Sequence, residues 1–289
     1  MDKLESLFQP NQVSNREETR ITYSRDASRI QGECLSVVWP ETITDVIRLT
    51  QWAAETGIDL VPRGAGTGLC GGATPQNSVV VDSAHLRHLG PVDIQTKQIV
   101  VDAGIPLDHL NRTLHSEGLF LPVIPGSHRS ATIGGMIATN AAGLHAVRYG
   151  RMADWVEDVV IVNGKGQVQC LSGSARSNST GWEGITGMIV QATLRLTERP
   201  GNRSLTLLPL ENLRELLDQI DSLKTNPALS AMEYINPNAA VKVGWAAKHT
   251  LLVEYQSADG EIKDPEEMAI IWGARESLSA RLTQAGYPI

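Results

Sequence analysis

The chain has 289 residues, enough for one large or two ordinary domains, and its apolar fraction of 42% suffices for a globular core. With 25 Lys and Arg against 32 Asp and Glu its formal net charge is -7, and no basic run stands out, which argues against nucleic-acid binding. The 3 cysteines (Cys34, Cys70, Cys170) are widely spaced without a C-x-x-C pair, no secretory leader opens the chain, and no apolar run approaches the roughly 20 residues of a membrane helix, so a cytoplasmic protein without a transmembrane segment is expected.

Residues 1–30 read as a short helix and an irregular polar arm that ends in Tyr23-Ser24-Arg25-Asp26-Ala27-Ser28. Residues 35–39 form a short strand closed by Pro40, and residues 42–56 a helix with Thr42 or Thr44 as cap and Gly57 at its end. A strand over 58–61 then feeds the run V-P-R-G-A-G-T-G-L-C-G-G, residues 61–72. So many glycines exclude a packed helix or strand but permit positive φ and close approach of bare backbone. Consecutive N–H groups in such a loop can form an anion nest, and Arg63 would add positive charge; a tight turn without a ligand suits the same residues. Gly66-x-Gly68-x-x-Gly71 matches a dinucleotide fingerprint, yet a strand over 78–82 follows it instead of a helix. A nicotinamide Rossmann site is thereby excluded on context.

Beyond a β-rich segment over 98–103, residues 106–118 have helical spacing and end at a Gly. His85, His88, His109 and His115 show no metal-ligand spacing and read as surface or structural. Next comes P-G-S-H-R-S-A-T-I-G-G-M-I-A-T-N-A-A-G, residues 125–143, where Thr132 can cap a helix whose Gly134-Gly135 start would run hard against a ligand and present free N–H groups to it. A small-residue helix packed on a sheet is the alternative. Arg148-Tyr149-Gly150 follows, then a strand over 156–163, a turn at Gly164-Lys165-Gly166, and a return strand over 167–171. A third glycine-bearing loop, G-W-E-G-I-T-G-M-I over 181–189, leads into a strand that runs to 196.

These three loops, in this order and at these spacings, make residues 23–200 resemble the FAD-binding domain of the vanillyl-alcohol-oxidase and p-cresol-methylhydroxylase flavoproteins. The nearest branch comprises glycolate oxidase FAD subunits, D-lactate dehydrogenases and D-2-hydroxyglutarate dehydrogenases. The resemblance implies an α+β fold: a two-subdomain FAD-binding domain (1–90 and 91–200) and a truncated α+β cap domain (201–289). It also implies non-covalent FAD. The first loop would wrap the pyrophosphate through Arg63, Gly64, Ala65, Gly66, Thr67 and Gly68, with Gly72 also in contact. The second would follow the ribityl and isoalloxazine parts through Gly126, Thr132, Ile133, Gly134, Gly135, Ala138, Asn140 and Gly143, with Tyr149 and Gly150 beyond it. Glu183 and Ile189 of the third would meet the adenine side. Trp182 departs from the pattern, standing where the family has a small Ser.

Residues 201–289 read as a strand over 204–208, a helix over 211–223, strands over 231–234 and 251–254, and a last helix from 265. That helix resembles the family's W-x-x-R-E cap helix, which implies Arg275 and Ser279 as contacts for a substrate carboxylate. The family's cap continues into a two-histidine metal motif that this chain lacks, so the catalytic base is unassigned, with His128 and His145 as candidates. The implied reaction is oxidation of a D-2-hydroxy acid with hydride passing to flavin N5 and electrons to a protein or quinone acceptor. A truncated chain, or an FAD-binding subunit needing a partner chain, is the alternative, with attachment to a membrane only through such a partner.

Overall fold

The computed structural model describes residues 2–257 and Gly273. The first elements are α1 (Asp2–Glu5), β1 (Val13–Ser14), α2 (Glu17–Tyr23), β2 (Glu33–Val38), α3 (Ile43–Thr56), β3 (Leu60–Arg63) and β4 (Gln76–Asp82). A reciprocal cap starts α3: Thr42 Oγ1 accepts from Asp45 N–H at 3.1 Å, and the Asp45 carboxylate accepts from Thr42 N–H at 3.0 Å. Gly57, at φ 69°, stops it in the left-handed conformation an L residue resists. Val46, Leu49, Trp52 and Ala53 form its buried stripe. The sheet order is β1-β2-β4-β3. Its centre is parallel, and Ser78 to Val81 of β4 are buried without interruption, as a strand covered on both faces requires.

The next elements are β5 (Gln98–Asp102), α4 (Leu107–Thr113), β6 (Leu119–Phe120), α5 (Ile133–Ala138), α6 (Ala146–Tyr149), β7 (Val156–Val162), β8 (Val168–Ser172), β9 (Met188–Arg195) and β10 (Thr197–Glu198). The helix expected over 106–118 is α-helical only to Thr113; a 3-10 turn over Leu114–Glu117 completes it before Gly118. Strands β5, β9, β7 and β8 form a second, antiparallel sheet in that order, and β6 pairs with β10. The turn between β7 and β8 is held by Asn163, whose Oδ1 accepts from Lys165 N–H at 2.9 Å and Gln167 N–H at 3.1 Å. Val162, Met188 and Val190 of the second sheet join Leu49, Trp52 and Val81 in one apolar cluster.

The chain divides into two units, residues 1–143 with 151–198, and residues 144–150 with 199–289. The sequence reading had kept 144–150 inside 1–200. The excursion is closed at its neck within the first unit. Met152 N–H donates to Ala141 O at 2.8 Å, Ala142 bridges Arg151, and Ala153 N–H donates to Asn140 Oδ1 at 2.9 Å.

In the second unit β11 (Asn202–Leu210), α7 (Leu213–Leu223), β12 (Leu229–Ile235), α8 (Pro237–Lys242) and β13 (His249–Ser257) follow one another. The sheet is antiparallel, ordered β11-β13-β12. Asn212 caps α7, and Leu216 joins Leu210, Leu229, Leu251 and Val253 in the apolar cluster. Apart from Gly273, the expected helix from 265, with Arg275 and Ser279, lies outside the described residues.

Candidate functional site

The three glycine-bearing loops meet in the first unit. β3 delivers the first of them, and a cavity of about 340 Å³ opens beside it, walled by Gly64 to Cys70, Gly72, Thr132, Gly135, Ala138 and Glu183. A smaller cavity of about 50 Å³ adjoins it, with Arg63, Gly134 and Ile189 in its wall. A further cavity of about 340 Å³ lies beneath α3 and meets the smaller one at Pro62, Gly184 and Met188.

Missing side chains are what let the loops approach. A Cβ on Gly64 would overlap Thr132 Oγ1, and one on Gly72 would stand 2.7 Å from Glu183 Oε2. The second and third loops are stitched by main chain: Gly181 N–H donates to Ile137 O at 3.0 Å and Glu183 N–H to Ala138 O at 2.8 Å. Those bonds end on the last two carbonyls of α5, of which Ile137 O also accepts from Asn140 N–H at 3.0 Å. Gly184 and Gly187, at φ 88° and 144°, turn the third loop into β9.

The first loop is different. Its carbonyls are used, Gly66 O by Ala27 N–H at 2.9 Å and Gly71 O by Thr74 N–H at 3.0 Å. Among the described residues, no N–H group from Ala65 to Gly72 has an acceptor in the protein. Among the described residues no Lys or Arg lines the larger cavity, and the Arg63 guanidinium lies behind the loop against Gly66. A row of unpaired main-chain donors suits a phosphate-bearing ligand held by backbone dipoles.

One expectation for these loops is corrected. The α5 start does not present free N–H groups. Ile133 N–H donates to Ile105 O at 2.9 Å, Gly134 N–H to Ala103 O at 2.8 Å, and Gly135 N–H to Thr132 Oγ1 at 3.4 Å. Gly134 is needed for contact with protein, since a Cβ there would lie 2.6 Å from Ala103 Cβ. The Arg63 guanidinium keeps its charge beside the loop while its Nη1 donates to Arg25 O at 3.0 Å and to Ala73 O at 3.3 Å.

Several sequence candidates in the first unit stand away from the cavity walls. Ile133 is fully buried in the core. Gly126 has open space beside it, between the lining residues Pro125 and Ser127. Gly143 packs on the Ile124 backbone, and Asn140, at φ 46°, closes the neck described above. Tyr149 and Gly150 belong to the second unit, where Tyr149 OH donates to Gln256 Oε1 at 2.6 Å. Trp182 is half-exposed and donates to Ser177 O at 2.8 Å, so its ring lines neither loop cavity. Leu69, Cys70, Met136 and Thr139 line the larger cavity although the sequence reading did not name them; the first two lie inside its glycine run.

The candidate base in the first unit, His128, lines neither loop cavity. His128 Nδ1 is 2.7 Å from Asp108 Oδ1 in a half-exposed pair. His145 is buried in the second unit, with Nε2 at 2.9 Å from Glu254 Oε1. Ser230 Oγ donates to the same oxygen at 2.7 Å. Burial pushes the Glu254 carboxyl up, and the hydrogen bonds from His145 and Ser230 more than offset it, holding the group below its ordinary 4.5.

Residues 35–172 match the family model for an FAD binding domain. The chain is 32% identical over 229 residues to a D-2-hydroxyglutarate dehydrogenase of Xanthomonas citri, covering 75% of this chain and 48% of that protein. It is 27% identical to a D-lactate dehydrogenase of Archaeoglobus fulgidus, covering 97% of this chain and 66% of that one. Identity to the glycolate oxidase subunit GlcD of Bacillus subtilis is 26%, over 98% of this chain and 65% of that protein. The chain thus spans about half to two thirds of these relatives' length. A solved alkyldihydroxyacetonephosphate synthase superposes with a TM-score of 0.75 at 20% identity, covering 98% of this chain and 58% of that one, a likeness of fold.

Proposed function

We propose that this chain, which is similar to FAD-binding proteins of the p-cresol-methylhydroxylase type, holds FAD without a covalent bond in the cleft between its three loops and serves the oxidation of a D-2-hydroxy acid. The observation that carries the cofactor reading is the convergence of those loops on a cavity whose first wall offers unpaired N–H groups. The main chain of Ala65 to Gly68 would take the pyrophosphate. Thr132, Gly135 and Ala138 would line the path of the ribityl chain and flavin ring, and the adenine end would reach toward Ile189. Bound FAD supplies a two-electron acceptor for the hydride of the substrate's α-carbon.

The protein's own work is binding and orientation. A main-chain nest meets phosphate charge without the desolvation cost of burying a cation. Thr132 keeps the second loop against the first, where only a glycine fits opposite it. Arg275, with Ser279, remains the proposed carboxylate contact, on the resemblance of its helix alone. The dehydrogenase names of the relatives support the substrate class, and the subunit name of the GlcD relative supports a further polypeptide in the assembly. A second reading, in which this chain binds FAD while another part supplies the base, is favoured by the absence of His128 from the cavity walls of the first unit.

Purified protein should be yellow and release FAD on denaturation. Colourless protein that no FAD titration restores overturns the reading. Anaerobic addition of D-lactate, glycolate or D-2-hydroxyglutarate should bleach the flavin band, and bleaching only when a partner chain is added selects the second reading.

A further inference from the structure

The arm ahead of β2 has no part in the proposed chemistry, yet it grips the glycine loop from outside the cleft. Ala27 N–H donates to Gly66 O at 2.9 Å, and Asp26 Oδ2 accepts from Ala73 N–H at 3.2 Å. Asp26 Oδ1 accepts from Ser28 N–H at 2.9 Å, which shapes the arm itself. From the loop's own side Arg63 reaches back to Arg25 O, and its guanidinium lies 5.0 Å over the Tyr23 ring. Tyr23 OH donates to Asp82 Oδ2 at 2.6 Å, so the arm is anchored at the end of β4. Asp26 is only 7% exposed, an unusual place for a carboxylate with no cationic partner among its hydrogen bonds.

The loop needs such a grip. Gly66 and Gly71 stand at φ 67° and 82°, and glycine-rich backbone visits many shapes unless something outside restrains it. An anion nest works only while its N–H groups converge. Both ends of the curved part are tied to the arm, Gly66 through Ala27 and Ala73 through Asp26.

We infer that Asp26 is a positioning residue whose buried carboxylate, with the neighbouring Ala27–Gly66 bond, holds residues 66–73 in their anion-binding shape. The inference rests on the FAD reading and adds how the site is pre-organised. Burial pushes the Asp26 carboxyl up, and its hydrogen bonds from Ser28 and Ala73 more than offset this, so it stays ionised at neutral pH, below its ordinary 3.8. That charge makes the test sharp. A carboxylate close to a phosphate site repels the ligand, so its removal should tighten binding if its geometry were irrelevant. Positioning demands the opposite sign.

FAD is titrated into apo wild-type protein, Asp26→Ala and Asp26→Asn at one ionic strength, following flavin fluorescence. Amide exchange at Ala27, Ala73 and Thr74 is compared in the same apo proteins. Losing the charged acceptor should weaken FAD roughly tenfold in Asp26→Ala, and less in Asp26→Asn, which keeps one acceptor oxygen. Exchange at Ala27 and Ala73 should quicken in both. Equal or tighter FAD binding, or unchanged exchange, in Asp26→Asn overturns the inference, and that near-isosteric variant decides alone where Asp26→Ala does not fold. Wild-type protein that binds no FAD sinks the cofactor reading instead, while the exchange comparison still decides whether Asp26 holds the loop.

Discussion

Single atoms decide much of this site. In Gly64→Ala the new methyl must displace Thr132 Oγ1, which caps α5. We expect a loss of about 1–3 kcal/mol in urea unfolding, together with weaker FAD binding. Unchanged stability would mean that the first and second loops do not touch as described. Glu254 gives a pH signature. A carboxyl held below its unfolded pKa stabilises the fold fully above that pKa and loses the effect as pH falls through the lower folded value. The second unit should therefore keep this contribution above about pH 4.5 and lose it progressively in more acid solution. Glu254→Gln should remove that part of the pH dependence, measured as denaturation midpoints at neutral and acid pH. The glycines of the first loop were legible because no other residue tolerates positive φ and close approach together. Arg63 was legible as a cation beside the loop, but one of its two acceptors lies 38 residues upstream, and no periodicity announces that contact.

At the scale of elements, local signals were read best where they are self-contained. The cap of α3 is one, with donor and acceptor both supplied within its first turn. Thr42→Ala should cost about 1 kcal/mol, read as a lower melting temperature, because it strips one half of a reciprocal cap. A melting temperature equal to wild type would contradict that geometry. The α5 start was misread for the opposite reason. Its first N–H groups are taken by Ala103 and Ile105, on a segment about 30 residues earlier whose approach no periodicity announces. Residues 144–150 were opaque in the same way: the partner of His145 is Glu254, 109 residues on. Short range can be read from one sequence; pairing across such distances needs the fold.

Taken whole, the molecule combines a nucleotide-type cleft built from backbone with a second unit whose sheet buries polar side chains. Among the described residues no helix is long and apolar enough to cross a membrane. The cleft was legible because its loops carry their chemistry in their own residues; the substrate contacts, Arg275 and Ser279, rest on resemblance alone. One feature of connectivity reaches further. Since residues 144–150 are interrupted by neither terminus of the first unit yet belong with the residues from 199 onward, no single cut separates the two halves cleanly. A fragment ending at 198 carries His145 without its carboxylate, and one starting at 199 leaves Glu254 without its imidazole. A single crossover at 198 would set His145 against whatever residue the incoming half carries in place of Glu254, so exchange preserves the pair only between chains that hold both partners.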